Sequence, residues 1–265
     1  MYIYELDSIT DTNLNVAKDK KRFLGRTWRY ERIIYNVAAK IIHLECHRNF
    51  YSDIRYDVFR GKFLFADIPL LEEKKNDIFT STQNTIIFAG SLYKNYRDPS
   101  YFIFLFEKAC VDIDVNLKFF SNGSCEEYLQ ECAKNNPKIK RCGYIANSDL
   151  QVEMNRCSFF LDIGLTNNNG ISPISSKIFS YFSFGKPIIH IRENGNDSAL
   201  PYFEKYELSL IIDPSDDFDY NVKKLKDFIV QNKDKTVDFN RVRNLFDSNT
   251  PEYTANLLID LAKNI

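Results

Sequence analysis

From about residue 85 the chain alternates short, almost wholly apolar runs with longer amphipathic ones. Residues 85–89 (TIIFA), 116–120 (NLKFF), 158–163 (SFFLDI), 187–191 (PIIHI) and 208–212 (LSLII) are rich in β-branched and aromatic side chains. Polar or Gly-containing stretches bound them, so they predict strands. A sixth, shorter strand is expected within 137–145, broken at Gly143. Between these runs, residues 100–111, 126–134, 149–156, 175–184, 201–206 and 218–232 predict helices. Strands with little polar alternation are buried on both sides. Their regular alternation with helices therefore predicts an α/β fold, a Rossmann-like parallel sheet with helices on both faces.

The first 80 residues read differently. Residues 30–40 (YERIIYNVAAK) predict an amphipathic helix with Ile33, Ile34, Val37 and Ala38 on its apolar side. Residues 41–47 (IIHLECH) and 63–68 (FLFADI) predict two weak strands, and 72–77 (EEKKND) a charged linker. At the other end, residues 251–265 predict a docking helix that opens on Pro251 and carries Leu257, Leu258, Leu261 and Ala262 as its apolar positions. The expected division is 1–82 as a partial N-terminal segment, 83–250 as the main domain and 251–265 as the terminal helix.

Charge narrows the function. The 265 residues hold 35 Lys and Arg against 36 Asp and Glu, a net charge of −1. Nucleic-acid binding calls for a basic excess or stripe, and none is present overall. The six cysteines are scattered without a CxxC pair, as expected for reduced thiols in the cytoplasm. No apolar run is long enough to span a membrane, and residues 1–11 lack a basic, signal-like opening.

The richest stretch is 170–191, GISPISSKIFSYFSFGKPIIHI. Ser175 and Ser176 are suited to N-cap a helix with Lys177 just inside it, and Gly185 and Pro187 are suited to end it. A helix start presents unpaired N–H groups and the positive end of the dipole, so it can hold a phosphate. The same pattern also fits an ordinary capped helix packing its aromatics. Lys94 and Arg97, after the first strand, fit either diphosphate neutralisation or a solvated loop. His190, at a strand end, fits either a ligand contact or a core histidine, and Lys186 reads as structural. Asn167-Asn168-Asn169-Gly170 forms a polar loop able to offer backbone N–H groups. Tyr93, Tyr96, Tyr144, Tyr181 and Tyr202 are candidates for stacking a base or for packing. His43 and His47 lack the HExxH pattern and a second ligand cluster. Asp112-Ile113-Asp114 precedes a strand instead of following one. Neither is assigned a metal.

Six ordered pieces together resemble the C-terminal domain of GT-B-fold glycosyltransferases of the group 1 type. They are IIFAGSLYKNYRDP (86–99), LKFFSNGS (117–124), CGYI (142–145), SFFLDIG (158–164), SSKIFSYFSFGKPIIH (175–190) and YFEKYELSLII (202–212), about half the chain. The resemblance implies a domain that binds a UDP- or GDP-sugar as substrate, with no cofactor and no metal. The sugar would pass to a glycan or lipid-linked acceptor in surface polysaccharide synthesis. It places Gly90, Ser91 and Leu92 against the diphosphate, with Arg97 nearby. It places Gly143, Tyr144 and Ile145 at the base, and Ser175, Ser176 and Lys177 at phosphate and ribose. It also implies a cytoplasmic enzyme, peripheral at the inner face of the membrane if the acceptor is a lipid.

Two departures stand out. Glu is usual four residues after the Ser of that family's Ser-Lys pair, where it grips both ribose hydroxyls. Ser180 stands there, and a hydroxyl cannot make the charged two-pronged contact. Residues 1–80 also resemble only the last part of the family's acceptor domain. The alternative expectation is accordingly an inactive or fragmentary nucleotide-sugar-binding module that needs a partner subunit or a self-dimer through residues 1–80.

Overall fold

The computed structural model describes residues 2–5, 20–74, 83–165, 174–192 and 197–263. They fall into two compact units, one drawn from residues 71–165 and 175–245, the other from residues up to 70 and from 246 on.

The smaller unit has a three-stranded parallel sheet in the order β1 (Tyr2–Glu5), β2 (Lys40–Leu44), β3 (Phe63–Ala66). Helix α1 spans Lys20–Val37. Its apolar face is the expected one only in part, with Ile34 packed against the core and Ala38 buried as expected. Thr27, Glu31, Tyr35 and Ala38 are buried, whereas Ile33 and Val37 are 53% and 64% exposed. The aromatic cluster beneath decides this. Tyr35 packs edge-on against Phe59 and Phe63, in a core shared with Tyr51 and Tyr56. Burying these large rings outweighs burying two aliphatic side chains. The 3₁₀ segment Ile54–Lys62 carries Tyr56 and Phe59 into the same core. Helix α9 (Pro251–Lys263) belongs to this unit, and Ser248 just before it donates to Asp67 at 2.6 Å.

The larger unit is built on six parallel strands: β4 (Gln83–Ser91), β5 (Asn116–Asn122), β6 (Ile139–Arg141), β7 (Cys157–Ile163), β8 (Ile188–Ile191) and β9 (Ser209–Ile212). Their spatial order, β6-β5-β4-β7-β8-β9, is the doubly wound order with β4 and β7 at the topological switch. Seven helices connect or follow them: α2 (Ser100–Ala109), α3 (Glu126–Asn135), α4 (Asn147–Arg156), α5 (Lys177–Ser183), α6 (Leu200–Lys205), α7 (Phe218–Asn232) and α8 (Phe239–Leu245). Alternation along the strands separates two cores. Ile86, Phe88, Phe159, Leu161 and Ile189 join Phe102 and Phe106 of α2 and Leu225 and Ile229 of α7. Phe160 faces the other way and stacks on Tyr181 of α5, with ring centroids 4.4 Å apart.

The switch point is physically open. Strand β4 pairs with β5 as far as Ser91↔Asn122, but with β7 only as far as Ile87↔Phe160. Beyond that point the Ala89 N–H has lost its strand partner and donates to the Tyr181 hydroxyl at 2.9 Å. Helix α5 is thereby tied against the gap. It stops at Gly185, whose φ of +65° is the left-handed turn an L side chain rarely adopts. Lys186 is structural, as expected. Its ammonium donates to the carbonyls of Met154, Asn155 and Cys157 and so caps the end of α4.

Candidate functional site

A cavity of about 280 Å³ opens beside the carboxyl ends of β4 and β5, at the small end of ligand pockets, which run roughly 300–1,000 Å³. Gly90, Ser91, Asn122, Tyr144, Ile145, Gln151, Lys177 and Ser180 are among the residues that line it. Six of the expected residues thus converge: Gly90, Ser91, Tyr144, Ile145, Lys177 and Ser180. Five do not line it. Leu92 is wholly buried in the core, and its N–H is already donated to Asn122 O at 2.8 Å. Gly143 precedes the cavity wall with a φ of +69°. Ser175 and Ser176 lie at the start of α5, and Ser176 makes no side-chain cap bond, contrary to the capped start expected. Arg97 is buried behind the site, at the close of a tight loop in which Tyr93 and Arg97 exchange backbone hydrogen bonds of 3.1 and 2.8 Å. Among the described residues its Nε has no hydrogen-bond partner.

The chemistry centres on Lys177. Its side chain is only 15% exposed, and Nζ lies 3.7 Å from the centroid of the Phe88 ring. Gly90 lies against it. A Cβ there would meet the Lys177 Cδ and Nζ at 3.7 Å, an ordinary contact, so it is the φ of +139°, which excludes most L side chains, that calls for glycine. Asp162 Oδ1 faces Nζ at 3.4 Å, an ion-pair contact too long for a well-formed hydrogen bond. Among the described residues Nζ has no hydrogen-bond partner. Burial, then the neighbouring charge of Arg97, pull the amine down to about 7, with Asp162 opposing.

Asp162 is engaged on its other oxygen. Oδ2 contacts His190 Nδ1 at 2.9 Å, across the Asp162↔His190 register of β7 and β8. His190 Nε2 contacts Asp197 Oδ2 at 2.8 Å, and Asp197 Oδ1 accepts from the Ala199 N–H at the approach to α6. Phe203 stacks on the imidazole at 4.1 Å. Burial disfavours the imidazolium, but two hydrogen-bonded carboxylates outweigh it and lift His190 to about 9. Asp162 is likewise held below the ordinary carboxylate range, since Lys177 and His190 outweigh its burial. The sequence left His190 open between ligand contact and core. It is fully buried, with Asp162 between it and Lys177. Asp162 was passed over, although a carboxylate ending an apolar strand is the signal that could have found it.

Of the remaining candidates, Tyr181 also lines the cavity and the others described lie elsewhere. Lys94, Tyr93 and Tyr96 are exposed. Tyr181 is packed against Phe160, and Tyr202 meets Phe179 edge-on at 5.3 Å. Asp112 pairs with Lys226 at 2.8 Å on the surface. His43 and His47 are buried in the smaller unit, and His43 stacks on Tyr51. Desolvation pulls His43 down to about 3. Among the described residues no group of three His, Cys, Asp or Glu is arranged to hold a metal. All six cysteines are unpaired with one another. The loop 167–170 lies outside the described residues.

No family model matches the sequence, and no curated protein matches it. Solved structures do match. A variant of S. aureus TarM, in complex with fondaparinux, α-GlcNAc-glycerol and UDP, is 13% identical at a TM-score of 0.61, covering 89% of this chain and 46% of that one. HepE from Anabaena, in complex with UDP and glucose, is 13% identical at 0.60, covering 98% of this chain and 71% of that one. The lipopolysaccharide outer core galactosyltransferase WaaB, in its apo form, is 10% identical at 0.56, covering 100% and 99%. The fold is that of the GT-B glycosyltransferases, and the larger unit is a Rossmann-like half of it. The chain spans about half the length of the TarM it matches.

Proposed function

We propose that this chain is a glycosyltransferase whose larger unit binds a nucleoside diphosphate sugar, UDP- or GDP-linked, for transfer to a hydroxyl of a glycan or lipid-linked acceptor. The observation that carries the reading is Lys177. A desolvated amine with no hydrogen-bond partner among the described residues stands in the wall of a cavity at the open end of a doubly wound sheet. Phosphate oxygens would satisfy it. Tyr144 and Ile145 suit a base, and Ser180 suits a ribose. In transfer, the bond from the anomeric carbon to the phosphate oxygen breaks, and its electron pair stays on the diphosphate. The acceptor oxygen bonds to the carbon, and its proton is released to water. Lys177, with Arg97 behind it, offsets the charge that grows on the leaving diphosphate.

Calorimetric titration of the full chain with UDP, GDP and ADP tests the reading. UDP or GDP is expected to bind with Kd below 1 mM, roughly the weak limit of useful recognition. No heat from any of the three at millimolar concentration would sink it. In the same titration, Ser180→Glu should tighten binding severalfold by restoring a carboxylate toward the ribose hydroxyls. Weaker binding would place the ribose elsewhere.

The acceptor side falls to the smaller unit. Helix α1 exposes Tyr30, Ile33 and Val37 beside Arg26, Arg29 and Arg32, while its acidic Glu31 is turned inward. Such a basic, apolar face suits the anionic inner surface of a membrane. Among the described residues no helix is long and apolar enough to cross one. Failure to float with anionic vesicles, together with dimers in sedimentation, would turn this face over to a second copy.

A further inference from the structure

We infer that diphosphate binding at this site draws a proton onto Lys177, and that His190, clamped between Asp162 and Asp197, is the positioning residue that keeps Asp162 from charging the amine beforehand. This rests on the donor-site reading above.

The geometry carries it. Among the described residues, the groups around Nζ come from three elements and a loop. From β7 comes Asp162; from the loop after β4 comes Arg97; from β4 come the Phe88 ring and Gly90. Helix α5 adds the Tyr181 hydroxyl, which is committed to the Ala89 backbone. So one carboxylate is set against a neighbouring guanidinium, in a place that gives the amine little solvent. That carboxylate is shared between two cations. Its Oδ2 is bonded to His190, whose positive charge offsets it, and its Oδ1 is ion-paired with Nζ at 3.4 Å without a hydrogen bond. The imidazole has a carboxylate on each nitrogen, an arrangement that favours both N–H groups and hence a fixed positive charge. The row Asp197, His190, Asp162 is therefore balanced to a single negative charge, which Lys177 shares with Arg97. The shifts agree in direction, with Lys177 pulled down to about 7 and His190 held up at about 9. A bound diphosphate adds the negative charge that is missing, and the amine takes up a proton to meet it.

The test is the proton count of UDP binding. Wild-type protein is titrated at pH 7.5 in two buffers of low and high ionisation enthalpy. About half to one proton is expected to be taken up per UDP, and affinity should fall about tenfold per pH unit from pH 7.5 to 8.5. Lys177→Arg, whose charge is permanent, should bind UDP with uptake near zero. His190→Gln frees Asp162 to pair with the amine, and should cut the uptake to less than half. Nitrogen-15 NMR of wild-type His190 gives a check that needs no variant, with both ring nitrogens protonated at pH 7.5. UDP binding with no proton uptake, or a neutral His190 ring, would overturn the inference. Absence of UDP binding would instead overturn the donor-site reading on which it stands.

Discussion

His190→Ala is expected to lower folding stability by about 3–5 kcal/mol at pH 6, the effect of stranding buried carboxylates without their cation. Asp162 and Asp197 would both lose it, 2.9 and 2.8 Å from its ring nitrogens, and Phe203 would lose its stacking partner. The pH dependence has a definite sign. His190 is raised from 6.5 to about 9 in the folded protein. Its contribution is therefore full below about pH 6.5 and is lost as pH rises through about 9. Lys177 works the other way. Its folded value falls from 10.5 to about 7, so stability gains as pH rises from about 7. The two slopes oppose one another between about pH 7 and 9, and the wild-type profile should be nearly flat there. Lys177→Met removes one slope and should expose the other, a fall of about 2–3 kcal/mol over that interval. Urea unfolding of the three proteins at pH 6, 7.5 and 9 measures this. A Lys177→Met profile as flat as wild type would contradict the imidazolium.

Lys177→Ala is expected to weaken UDP or GDP binding by about 2 kcal/mol at pH 6.5, roughly thirtyfold, as for loss of one charge-assisted hydrogen bond. Stability should fall far less than in His190→Ala, because among the described residues the amine makes no hydrogen bond, its burial is itself unfavourable, and Asp162 keeps His190 as its cation. Affinity and stability thus part company in this variant, which separates a ligand contact from a packing role. Unchanged affinity would move the diphosphate away from α5.

Much of the larger unit was legible in the sequence, for a physical reason. Parallel strands buried on both faces must be nearly continuous apolar runs, so 158–163 and 187–191 stand out without help from periodicity. Helix α7 was expected at its observed bounds, because Asp217 caps it and its apolar side chains recur at helical spacing. Short elements were missed. The four-residue strand β1 leaves no pattern to read, and α8 lies in a polar stretch whose one buried residue is Val242. The face of α1 was read half right, with Ile34 and Ala38 inward, because helical spacing identifies an apolar stripe but not its partner, and here a cluster of tyrosines and phenylalanines chose Tyr35 over Ile33 and Val37. At the site, Gly90, Tyr144, Ile145, Lys177 and Ser180 were legible because loops at the carboxyl edge of such a sheet converge. The charge row behind Lys177 was not. It depends on β7 and β8 lying side by side with Asp162 and His190 in register, a pairing no local pattern states.

The opening between β4 and α5 is expected to hold a nucleoside diphosphate with its phosphates on Lys177. A crystal of the full chain grown with UDP tests this directly. A phosphate oxygen is expected within about 3 Å of Lys177 Nζ, the distance of a charge-assisted hydrogen bond, with the base against Tyr144 and Ile145. UDP bound with its phosphates away from Lys177, or at another place on the molecule, would contradict it.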